Sequence, residues 1–103
     1  MDFVDVIGAS GAAYRFRAAT LEQLPVTGGN LIVATGAPPR LGVRLCASAH
    51  TLQKAAPAAR DALAAARSGQ VFIRLNIARA TREAEHADIV AAFAPDLDLP
   101  DLD

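Results

Sequence analysis

Two histidines, one cysteine and nine arginines hold most of the chemistry this 103-residue chain can offer. In REAEHADIVAAF, His86, Ile89, Val90 and Phe93 follow the i, i+3, i+4, i+7 rule, so a helix there carries an ionisable ring on its apolar face. Such an imidazole either ligates a soft metal together with His50 or Cys46, or sits in the core with its nitrogens hydrogen-bonded. Two histidines and a single cysteine without ligand spacing favour the second, so neither a metal nor a cofactor is expected. Cys46 lies in the apolar run LGVRLCA and reads as a small core residue rather than a nucleophile, because a reactive thiol needs an adjacent base and a depressed pKa. The GASGA stretch lacks the Lys-Ser/Thr that follows a phosphate-cradling loop and reads as a turn. No catalytic residue is expected.

The arginines pose a second question. Arg15, Arg17, Arg44, Arg74, Arg79 and Arg82 could line a sheet face and the start of a helix, and with Lys54 they offer phosphate contacts. The nucleic-acid contacts to test are therefore Arg44, Lys54, Arg74, Arg79 and Arg82. No aromatic residues interleave with these cations, which favours ordinary strand arginines paired with acids. The net charge of −1 hides an acidic end: Asp96, Asp98, Asp101 and Asp103 are four of the eleven acids, and without them residues 1–95 carry +3. That is too mild a balance to argue for nucleic acid by itself.

Alternation and turn residues define the elements that must position these side chains. FVDVIG and AYRFRA, joined by a glycine turn, predict an N-terminal hairpin with Tyr14 and Phe16 inward and Arg15 and Arg17 in solvent. NLIVAT and LGVRLCA, joined by GAPPR, predict a second hairpin. Thr51 is a candidate N-cap for a short turn, Pro57 fits the first position of a helix that Ser68-Gly69 closes, and QVFIRLNIA (70–78) predicts a strand. A last helix begins near Thr81 and stops before Pro95, and residues 96–103 read as an acidic, mobile tail. The expected fold is α+β: one domain over 1–95, a mainly antiparallel sheet with an N-terminal β-hairpin, flanked by two or three helices. A lone cysteine and the absence of a long apolar run predict a cytoplasmic protein with no membrane association.

Over roughly residues 28–98 the order of elements resembles the GIY-YIG nuclease superfamily. Gly29, Asn30 and Leu31 lie against its Gly-Ile-Tyr strand, and Leu45, Cys46 and Ala47 against Tyr-Ile-Gly, followed by Ala49 and Leu52. Pro95 and Asp98 lie against the end of its last helix, which places His86 at the family's metal-holding glutamate. The resemblance implies a degenerate site at Leu31, Leu45, Ala47 and His86. Leucine cannot move a proton where the family uses tyrosine, and one imidazole is a poor ligand for Mg²⁺. The arginine position of the family meets Ala55, with Lys54 beside it. The expected function is a catalytically inactive domain that binds an unknown protein partner or forms a homo-oligomer. A non-cleaving nucleic-acid binder is the alternative, and a divergent metal-dependent phosphodiesterase built around His86, Glu85, Arg82 and Lys54 the second alternative.

Overall fold

A computed structural model describes residues 2–102. Six strands form one sheet in the order β1 (Phe3–Ile7), β2 (Ala13–Ala19), β5 (Gln70–Leu75), β3 (Gly29–Thr35), β4 (Gly42–Ala49) and β6 (Leu97–Leu102). All neighbours are antiparallel except β4 and β6. Helices α1 (Ala56–Ala65) and α2 (Arg79–Phe93) pack on opposite faces, and 3-10 turns occupy Leu21–Gln23 and Leu52–Ala55. The α+β class, the antiparallel sheet and the N-terminal hairpin agree with the sequence reading.

The central strands are apolar on both sides because each face has its own helix. Leu31, Val33, Leu45, Ala47, Val71 and Ile73 meet Leu52, Ala55 and Ala59 on the α1 side. Ile32, Ala34, Val43, Cys46 and Phe72 join Val4, Val6, Phe16 and Ile89 on the α2 side. Phe72, on the opposite face of its strand from Val71 and Ile73, is therefore buried as well. Gly29 lets β5 approach: a Cβ there would collide with the carbonyl oxygen of Arg74.

A bulge decides which face each β4 residue takes. Val33 faces Leu45, but Ala34 faces Val43, leaving Arg44 as the extra residue. Val43 and Leu45 thus bury on opposite faces although they are two apart, and Arg44 points to solvent.

Three boundaries differ from expectation. β5 ends at Leu75 rather than Ala78, because the Asn76 side chain turns to Asn30 and Glu85, and Ile77 is left 77% exposed. α2 starts at Arg79, two residues early, with Glu83 receiving Arg79 across one turn at 2.8 Å. Residues 97–102, expected as a mobile tail, form β6. Its register slips where Ala47 and Ala49 face Leu99 and Leu102, so a bulge at Pro100–Asp101 turns Leu99 and Leu102 toward the α1-side core and both Asp98 and Asp101 toward α2. Thr51 precedes the second 3-10 turn but makes no side-chain cap bond.

Candidate functional site

On the α2 side, four polar residues are buried: Asn30, Ser48, Arg82 and His86. His86 bridges two elements. Its Nδ1 lies 3.4 Å from Sγ of Cys46 on β4, and its Nε2 meets the carboxylate of Asp98 on β6. Burial, reinforced by the charge of Asp98, pushes the Cys46 thiol up to about 12, so the sulfur is protonated. That state suits a thiol donating to Nδ1 while Nε2–H donates to Asp98. The order of groups is that of a Cys–His–Asp relay, but Sγ has no solvent access and is not a thiolate. It cannot attack a substrate in this conformation.

A second network ties α2 to β3 and β5. Asn30 Nδ2 donates to the Arg82 carbonyl at 3.0 Å, and Asn76 Nδ2 donates to both Asn30 Oδ1 at 3.1 Å and Glu85 Oε1 at 2.9 Å. Arg74 Nε donates to the same Glu85 oxygen at 2.7 Å, and its guanidinium lies over the Tyr14 ring. Arg82 is 2% exposed and clamps the loop before α2, its Nη1 donating to the carbonyls of Ile77 at 2.9 Å and Asn76 at 3.3 Å. Its Nε has no hydrogen-bond partner. Further along α2, Asp88 accepts the hydroxyls of Ser10 at 2.6 Å and Tyr14 at 2.7 Å. The Ser10 hydroxyl, then Tyr14, lowers the Asp88 pKa, and the same carboxylate raises that of Tyr14.

The residues expected to surround one degenerate pocket do not meet. Leu31, Leu45 and Ala47 lie in the core under α1, whereas His86 is across the sheet with Cys46. The reason is the pleat: successive side chains of β4 point to opposite faces, so Leu45 and Cys46 cannot share a pocket.

The five cations considered for phosphate contact are largely engaged within the chain. Arg44 pairs with Asp96, Arg74 with Glu85, and Arg79 with Glu83 and Asp101. Arg82 is buried because it lies one helical turn before His86 on the sheet-facing side of α2, so it is no surface contact. Lys54 is exposed on its 3-10 turn. Among the described residues, no group of three or more His, Cys, Asp and Glu side chains is arranged to hold a metal ion, and no helix is long and apolar enough to cross a membrane.

The N-terminal hairpin has a bare face. Val4, Val6 and Phe16 of the N-terminal hairpin are buried on the α2 side, but Phe3, Asp5, Ile7, Ala13, Arg15 and Arg17 on its other face are all exposed. Phe3 is 57% and Ile7 48% exposed. Arg15 bonds Asp5 Oδ1 at 3.0 Å and lies over the Phe3 ring. β1 is an edge strand, and the bonds from Ala18 N to Asp2 O and from Gly8 N to Ala12 O turn the even-numbered residues inward. The N–H and C=O groups of Phe3, Asp5 and Ile7 therefore point away from the sheet. Sequence alternation revealed the strand but not that no helix would cover this side. No family model, curated protein or solved structure matches this chain.

Proposed function

We propose that this domain is a self-association module that pairs through β1, without catalytic activity. One observation carries the reading: the outward backbone groups of β1 fall on Phe3, Asp5 and Ile7, the same residues whose side chains stand on the uncovered face. An antiparallel β1–β1′ pair centred on Asp5 sets Phe3 opposite Ile7 of the second copy, twice by symmetry. Each such aromatic–β-branched pair stabilises a ladder by about 0.2–1 kcal/mol beyond its backbone bonds. The two Asp5 carboxylates then face each other, each already held by its own Arg15.

The order β3–β4–α1–β5–α2, which resembles the GIY-YIG superfamily, is kept in this reading as a scaffold without a reactive pocket. A short edge pairing is a small interface, so a Kd on the order of 100 μM is expected. Sedimentation equilibrium from 10 μM to 1 mM is the test, comparing the wild-type chain with Asp5→Pro, which removes one outward N–H and no inward backbone bond, and frees Arg15 from its exposed carboxylate partner. A rapidly reversible dimer weakened at least tenfold by Asp5→Pro supports the reading; an unaffected dimer refutes it.

A further inference from the structure

The second edge of the sheet points to a different use of a second copy. β6 is an added-on strand: it pairs only with β4, none of its residues is fully buried, and Pro100 interrupts its pattern of backbone donors. Acids hold it to the body. Asp96 reaches Arg44 at 3.2 Å, Asp98 reaches His86, and Asp101 reaches Arg79 at 2.7 Å, while His50 N donates to the Leu102 carbonyl at 3.0 Å. The strand beneath it is unlike it. Leu45, Cys46, Ala47, Ser48 and Ala49 of β4 are buried, and without β6 they would form an apolar open edge.

The connection between α2 and β6 is only Ala94, Pro95 and Asp96. Ala94 takes the left-handed conformation, φ 45° and ψ 63°, which an alanine rarely adopts. Opening this connection relieves the alanine, but the apolar β4 edge must then be covered again. The segment that matches it in length, leucine spacing and acid spacing is the same strand of another copy.

We infer that β6 exchanges reciprocally between two copies of this chain, each copy laying residues 97–102 along β4 of the other. The contacts of residues 97–102 in the closed form are rebuilt across the two chains, with no new chemistry required. The second copy then supplies the aspartate that completes the Cys46–His86 pair, so the α2-side site of one chain is finished by the other. This exchange does not use β1 and stands or falls separately from the edge pairing above.

The test places thiols at Arg44→Cys and Asp96→Cys, both exposed, in an Asp5→Pro background that disables β1 pairing. The native Cys46 is buried and protonated and does not compete. After equilibration at about 1 mM and dilution, a short dithiol-reactive linker is added and the chains are run on a denaturing gel. Exchange predicts a covalent dimer whose fraction grows with the earlier protein concentration. It also predicts at least a tenfold smaller fraction when Gly-Ser-Gly-Ser is inserted after Pro95, because a longer connection lets the strand dock on its own chain. Cross-linked monomer alone at every concentration overturns the inference. So does a dimer band that the insertion leaves undiminished, which would come from collision rather than exchange.

Discussion

Sγ of Cys46 sits 3.4 Å from Nδ1 of His86, and that contact joins the middle of the sheet to α2 and, through Asp98, to the last strand. The histidine on the apolar side of its helix is thus a core residue with both nitrogens engaged. It acts as a structural junction between the sheet, α2 and the last strand.

Removing the junction strands its partners. His86→Ala leaves a buried thiol and the Asp98 carboxylate without their bond and opens space beside Ile89, so a loss of about 1–3 kcal/mol is expected in urea unfolding. Cys46→Ala, which removes one buried sulfur and a weak donor to Nδ1 but keeps the bond to Asp98, costs less than His86→Ala. The reverse order would contradict the assignment of His86 as the bridging group.

The thiol also gives a pH signature. Its folded value of about 12 lies above its ordinary value of 9.0, so folding favours the protonated form. The contribution is complete below about pH 9 and is lost as pH rises toward 12. Wild-type and Cys46→Ala proteins, compared by thermal melts between pH 7 and 11, are expected to diverge in alkali, with the wild type losing stability faster. A thiol-reactive chromophore should label Cys46 only on unfolding; rapid labelling at pH 7.5 would show that the sulfur is open to solvent.

At the acid end the sign is opposite. Asp88 is held below its ordinary pKa by the hydroxyls of Ser10 and Tyr14, so its contribution is present above about pH 4 and fades as pH falls through the lowered value. The stability gap between wild type and Asp88→Asn is predicted to close on acidification, with circular dichroism melts as the readout.

Much of the fold was legible because it rests on local chemistry: the glycine turn of the first hairpin, Pro57 at the start of α1, and the apolar stripe of α2. What escaped depends on tertiary placement. The Arg44 bulge reverses the face of every β4 residue beyond it, and neighbouring side chains such as Leu45 and Cys46 belong to different cores. β6 was hidden because Pro100 and the slip beside it break the alternation of Leu97, Leu99 and Leu102, and because its acids read as solvating until their partners on β4 and α2 are known. The candidate site suffered most: Arg82 reads as a surface cation, yet it shares the sheet-facing side of α2 with His86 and is buried there.

That burial makes its own prediction. Arg82→Ala leaves the Asn76 and Ile77 carbonyls without their donor and removes a large buried side chain, for an expected loss of about 2–4 kcal/mol. Arg17→Ala, on the exposed face of the hairpin, should stay within about 0.5 kcal/mol. Denaturant midpoints with unchanged m-values would check both, and equal effects would place Arg82 at the surface.

The proposal of β1 pairing rests on Phe3 of one chain meeting Ile7 of another. Along a single strand these side chains are about 13 Å apart, so a nuclear Overhauser effect between the Phe3 ring and an Ile7 methyl can arise only between molecules. An isotope-filtered spectrum of mixed labelled and unlabelled protein near 1 mM is predicted to contain that cross-peak. A clean spectrum with no such peak, at a concentration where the chain is dimeric, would contradict the account.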